Sequence, residues 1–73
     1  MKKLIGSLLL RDYHLMESYK IIEFADTNCV IVKYLFKVKD SKNHSKLLST
    51  RQLFRTGQQL PTSSQMWKYL GGK

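Results

Sequence analysis

Cysteine, proline and acidic side chains are scarce in this 73-residue chain, which has one Cys, one Pro and five Asp or Glu. With Cys29 alone, neither an intrachain disulfide nor a zinc site built from several thiolates can form. A lone thiol is typical of a reducing compartment, so we expect a cytoplasmic protein. The length allows a single domain, residues 1–73, with a thin core that self-association or a binding partner would supplement.

Long apolar runs are missing as well. The largely apolar segment 4–10 is interrupted by Arg11 and Asp12, and it is far shorter than the 18 or more residues of a membrane span. No small-residue cleavage site follows it, so we do not expect a signal peptide. The sequence thus predicts a soluble protein without a membrane partner.

Groupings typical of catalysis or of cofactor binding are also absent. His14 and His44 are far apart in sequence, and no carboxylate lies at a ligand-like spacing from either of them. We interpret His44 as a solvated loop residue and Cys29 as a small core residue, because no base accompanies the thiol. The glycines match neither a P-loop nor a dinucleotide-binding motif. We therefore expect no enzyme activity, no metal site and no cofactor.

Positive charge is abundant and unevenly distributed. Residues 29–73 contain nine Lys or Arg and one acidic residue, whereas residues 1–28 contain four of each, and the formal net charge is +8. A one-sided surplus attracts polyanions, and phosphates neutralised by it release counterions. Solubility alone is the simpler explanation, but the asymmetry favours nucleic acid or another anionic partner.

The strongest structural pattern is a β-hairpin. Residues 30–38 alternate with a period of two, with apolar side chains at the even positions and Lys33 and Lys37 among the odd ones. Residues 18–24 form a second strand by composition, and residues 25–28 have the composition of a turn. Residues 4–16 fit either a helix or a strand, and we favour a strand because a hairpin alone is marginally stable.

The C-terminal half predicts shorter elements. Residues 40–45 form a polar loop, residues 46–49 an edge strand, and residues 51–55 a short helical turn that Gly57 ends. A last helical turn follows the capping residues 62–65. The fold class is therefore α+β or mostly β, with a small three- to four-stranded antiparallel sheet and one or two short C-terminal helical turns.

Five basic residues are the candidate nucleic-acid contacts. Lys33, Lys37 and Lys39 share one face of a strand, and a helical turn would place Arg51 and Arg55 on one side. Arginine makes bidentate contacts to phosphate or guanine that lysine cannot make. Trp67 and Tyr69 are candidates for base stacking or for anchoring a partner, although a C-terminal Trp more often clamps a helix onto the core.

The residue order Tyr19–Phe24, a polar turn, Val30-x-Val32-x-Tyr34 and the segment Ser49–Pro61 resembles a short β-rich module of bacteriophage proteins. In those proteins the module precedes endonuclease-like or AP2-like DNA-binding segments. The resemblance covers residues 19–61 and departs from the module in its longer loop at 39–46. It implies a DNA-associated accessory role in the bacterial host cytoplasm.

We accordingly expect a small, basic, phage-type protein that binds nucleic acid, with DNA favoured over RNA. The alternative is a phage-encoded inhibitor of a host protein or nucleoprotein complex, an anti-defence or host-takeover factor. Its basic face would meet an acidic or nucleic-acid-binding surface. Assembly of a homo-oligomer through the sheet edge is a third reading.

Overall fold

The computed structural model describes residues 10–73. After a 3₁₀ turn at Leu10–Asp12 come three strands, β1 (His14–Ala25), β2 (Cys29–Lys39) and β3 (Ser45–Arg55), and one helix, α1 (Ser63–Tyr69). The strands form one antiparallel sheet in the order β1-β2-β3, so each strand pairs with its neighbour in sequence. The expected fold class is confirmed in its coarser form, with three strands rather than four.

The predicted hairpin is β1 and β2. Asp26 closes its turn, because the carboxylate accepts hydrogen bonds from the backbone N–H groups of Asn28 (2.7 Å) and Cys29 (2.8 Å). β1 is longer than residues 18–24 and contains two bulges, at Met16 and Glu23, where the pairing with β2 shifts by one residue. Each bulge leaves one residue of β1 unpaired and shifts by one the alternation of side chains between the two faces.

Residues 45–55 form one continuous strand, so the prediction of a helical turn at residues 51–55 was wrong. β3 pairs with β2 in unbroken register from Ser45↔Lys39 to Arg55↔Cys29. A five-residue helix carries the full cost of nucleation for very few hydrogen bonds. Extending the strand instead pairs every one of these residues with β2 and packs Phe54 against the core.

The core lies between α1 and the adjacent face of the sheet. Every second residue of β2 from Val32 to Val38 is fully buried, and Met66 and Trp67 of α1 pack over them. The rings of Trp67 and Phe36 lie 5.1 Å apart between centroids, in a tilted arrangement. Because α1 covers only one side of the sheet, the two faces have different environments.

The helix begins where the sequence predicts. Thr62 caps it through a capping box, in which the Thr62 hydroxyl accepts from the Gln65 backbone N–H and the Gln65 side chain accepts from that of Thr62. The Tyr34 hydroxyl donates to the Pro61 carbonyl oxygen (2.9 Å), which ties the segment before the helix to the sheet. Burial raises the pKa of Tyr34.

The segment 4–16, for which we favoured a strand, lies partly outside the described residues. Within the described part, Leu10 is buried in the core and begins the 3₁₀ turn, and β1 starts only at His14. The strand prediction therefore holds for the last three residues of the segment. For residues 4–9 it lies outside the part of the chain that the structure describes.

Candidate functional site

The face of the sheet opposite α1, hereafter the open face, collects the odd-numbered residues of β2 and their cross-strand partners. Side chains on a strand alternate between faces, so the burial of Val32, Tyr34, Phe36 and Val38 assigns the intervening residues to the other side. Among residues 10–73, no helix or strand packs on this face.

Five rows of side chains cross the open face from β1 to β3. Following the register, they are Phe24–Ile31–Leu53, Ile21–Lys33–Arg51, Tyr19–Leu35–Ser49, Glu17–Lys37–Leu47 and His14–Lys39–Ser45. A sixth position, Cys29↔Arg55, lies beyond the first row. Rows that carry cationic side chains therefore alternate along part of the sheet with rows that are apolar or aromatic.

All five basic residues singled out in the sequence lie on this face. Lys33, Lys37 and Lys39 follow one another on β2, and Arg51 is directly opposite Lys33. Arg51 and Arg55 share a face as expected, but they do so because residues four apart on a strand point the same way. The structure thus unites two groups of residues that the sequence could only treat separately.

Two carboxylates also belong to this surface. The Arg51 Nε donates to Glu23 Oε1 at 2.7 Å, so a residue of β3 pairs with one of β1 across the intervening β2. Glu17 accepts a hydrogen bond from the Tyr19 hydroxyl, and this bond raises the pKa of Tyr19. Positive charge exceeds negative on the open face, although Arg51 is partly compensated.

Exposed apolar side chains lie among the charged ones on the open face. The sequence analysis did not predict that they form part of one surface. Tyr19, Ile21 and Phe24 of β1 are about half exposed, and Leu47 and Leu53 of β3 are about two-thirds exposed. The period of two in residues 18–24 could have revealed Tyr19 and Ile21. The bulge at Glu23 hides Phe24 from that pattern, because it shifts the face of every residue after it.

Trp67 and Tyr69 do not share an environment. Trp67 is 1% exposed and packs against Phe36, which is the clamping role that the sequence favoured, so neither side of its indole is free for a base. Tyr69 is 76% exposed, but it lies on α1 and therefore on the side of the sheet away from Lys33. The structure separates both residues from the basic group.

Cys29 and His44, to which the sequence assigned no chemistry, lie at the start of β2 and in the β2–β3 loop. Cys29 is half-buried where β2 begins, and burial, with a smaller effect of Asp26, raises the pKa of its thiol, which opposes thiolate formation. In the β2–β3 loop, His44 Nδ1 lies 3.3 Å from Asp40 Oδ2, and the His44 side chain is largely exposed. No group of three or more metal-ligating side chains occurs among residues 10–73. The absence of enzyme activity stays a prediction.

No helix within residues 10–73 is long and apolar enough to cross a membrane. Comparison with protein-family models, with curated proteins and with solved structures finds no match to this chain. The composition and geometry of the open face are therefore the features from which a function can be inferred.

Proposed function

We propose that this chain binds nucleic acid, DNA in preference to RNA, through the open face of its sheet. The observation that carries the proposal is the convergence of Lys33, Lys37, Lys39, Arg51 and Arg55 on one face of the sheet, which no helix or strand within residues 10–73 covers. Cationic side chains at regular spacing on a flat sheet can neutralise successive phosphates and release their counterions. The resemblance of residues 19–61 to a DNA-associated phage module supports the same function.

The distribution of the other basic residues provides an internal control. Lys20 and Lys46 are paired opposite Tyr34 and Val38, which are core residues, so both lie on the side of the sheet that carries α1. Lys68 is on α1 itself and is exposed. Binding that depends only on net charge would be weakened equally by loss of a lysine on either side.

The test is an alanine scan that compares the two sides. Fluorescence anisotropy of a labelled DNA oligonucleotide, titrated at two salt concentrations, gives the affinity and its salt dependence for each variant. For Lys33→Ala and Lys37→Ala we expect a modest loss of affinity and a decrease of about one in the salt slope per residue. Lys20→Ala and Lys68→Ala should match the parent protein. Equal losses on both sides, or no binding at low salt, would overturn the proposal.

The second candidate function is inhibition of a host protein, and the exposure of Leu47 and Leu53 favours it. Protein interfaces concentrate binding energy in a few anchors surrounded by near-neutral positions. Of the anchors that the sequence suggested, Trp67 is buried, which leaves Tyr69 and one arginine. A scan peaked on Leu47, Leu53 or Tyr69 against a purified host protein, with no DNA binding, would support this function.

A further inference from the structure

The open face carries two aromatic side chains, one on each side of the Ile21–Lys33–Arg51 row. Phe24 is in the first row and Tyr19 in the third, and they are 50% and 46% exposed. We infer that the open face binds single-stranded nucleic acid, with unpaired bases stacking on Tyr19 and Phe24 and phosphates contacting Lys33 and Lys37. This inference rests on the proposed function and specifies its ligand.

The order of the rows matches the chemistry of a single strand. Adjacent rows are two residues apart along β2 and hence roughly 6.6 Å apart, at about 3.3 Å per residue. Along this direction the side chains alternate from aromatic (Phe24) to cationic (Lys33), aromatic (Tyr19) and cationic (Lys37). An unpaired strand presents charged phosphates and flat apolar bases in the same repeating manner, and proteins bind it with basic grooves and aromatic platforms.

A duplex matches the same surface less well. Its bases are stacked inside, and it offers phosphates and the polar base edges of its grooves. Ile21, Leu47 and Leu53 would then face polar or charged groups, and their apolar area would gain little from binding. Unpaired bases provide apolar surfaces that can cover these side chains, so the apolar half of the open face favours the single strand.

The two aromatic rings differ in how they are held. The Tyr19 hydroxyl donates to Glu17, two residues before it on the same strand, and this bond restricts the movement of the ring. A ring that is already ordered loses less conformational entropy when a base stacks on it. Phe24 has no polar atom to restrain it and follows directly after the bulge at Glu23. We therefore expect Tyr19 to contribute more than Phe24.

The experiment measures the affinity of the full chain for three probes by anisotropy: an oligothymidylate of about 16 nucleotides, the matching oligouridylate, and a duplex of the same length. The oligothymidylate should bind more tightly than the duplex and at least as tightly as the oligouridylate. Tyr19→Ala should weaken single-strand binding roughly 5- to 150-fold, which corresponds to the usual worth of one stacked base. Tyr19→Phe keeps the ring but loses its hydrogen bond to Glu17, so it should bind somewhat more weakly than the parent and much more tightly than Tyr19→Ala.

Tyr69→Ala is the matched control, since it removes an exposed tyrosine of α1, outside the rows that carry Tyr19 and Phe24, and should leave binding unchanged. Thermal melting of each variant establishes that it folds, and Tyr19→Leu replaces Tyr19→Ala if the alanine variant does not. Equal binding of duplex and single strands, with Lys33→Ala still harmful and Tyr19→Ala harmless, would overturn the stacking inference and leave the proposed function standing. Failure of every probe to bind at low salt would overturn both.

Discussion

Arg51 on β3 and Glu23 on β1 form an ion pair across the strand that separates them, with Arg51 Nε 2.7 Å from Glu23 Oε1. Glu23 reaches Arg51 from a bulge, where the residue is released from pairing with β2. Both side chains are partly exposed, so the pair adds little to stability. Its position gives it another consequence, because the carboxylate occupies an arginine that a phosphate would otherwise contact.

Removing this carboxylate should strengthen nucleic-acid binding. In Glu23→Gln the guanidinium of Arg51 loses its anionic partner, and the open face loses one negative charge, so we expect a tighter complex and a larger salt slope by up to about one. Anisotropy with the same oligonucleotide at two salt concentrations measures both quantities. Asp12→Asn, a matched change of charge outside the sheet, is the control. A weaker complex with Glu23→Gln would contradict the placement of the site.

Phe36 should be indispensable for folding. Its side chain is fully buried and its ring packs against Trp67. Phe36→Ala therefore removes packing between the sheet and α1, which should lower the free energy of unfolding by about 3–5 kcal/mol. A domain of this size has about that much stability in total, and the variant should therefore be largely unfolded. Circular dichroism melting tests this, with Tyr69→Ala as an exposed aromatic control. A cooperative transition near the parent temperature would show that the core is wrongly assigned.

The aspartates in the two hairpin turns, Asp26 and Asp40, should make the stability of the fold depend on pH in the acidic range. Backbone N–H groups of Cys29 and Asn28 lower the pKa of Asp26, and those of His44 and Lys42 lower the pKa of Asp40 below the ordinary 3.8. A carboxyl with a lowered pKa in the folded state contributes stability above its ordinary pKa and loses it as the pH falls through the folded value. We expect the melting temperature to drop in this acidic range.

Asp26→Asn and Asp40→Asn keep an acceptor oxygen but cannot ionise, which makes them the matched variants for that experiment. Each should have a lower melting temperature at neutral pH and a flatter curve of melting temperature against pH on the acidic side. Parallel curves for the parent and both variants would mean that other groups control acid unfolding.

Gly72 should be intolerant of any side chain. The backbone there passes directly over the indole of Trp67, and a Cβ at Gly72 would overlap the ring. Gly72 N–H also donates to the Trp67 carbonyl oxygen (2.9 Å) and Gly71 N–H to that of Lys68 (3.1 Å), which fixes the chain after α1. Gly72→Ala must therefore displace Trp67, at a cost of about 1–3 kcal/mol.

Fluorescence provides a specific readout for this change, since Trp67 is the only tryptophan in the chain. Displacement of a buried indole towards water shifts its emission to longer wavelength. Gly57→Ala is the control, because a Cβ at Gly57 meets open space and any strain is confined to the backbone, where φ is +91°. That variant should lose stability without a shift in emission, whereas an unshifted Gly72→Ala spectrum would contradict the described packing.

Local sequence determined the elements whose signals are contained within a few residues. The alternation of residues 30–38 identified β2 and its buried face, the Asp26 turn identified the hairpin, and Thr62 with Gln65 identified the start of α1. The excess of basic residues after position 28 is likewise a property of the sequence alone. These features depend on side-chain alternation, turn chemistry and capping, which act over short distances along the chain.

Tertiary structure decided the state of residues 51–55 and the composition of the open face. Locally, Arg51 and Arg55 fit a helical turn as well as a strand, and only the free edge of β2 selects the strand by pairing with every residue of β3. Tyr19 and Phe24 meet Lys33 and Arg51 only through the register of three strands, which two bulges set. Strand pairing joins residues distant in sequence, so the periodicity of any one segment does not contain it.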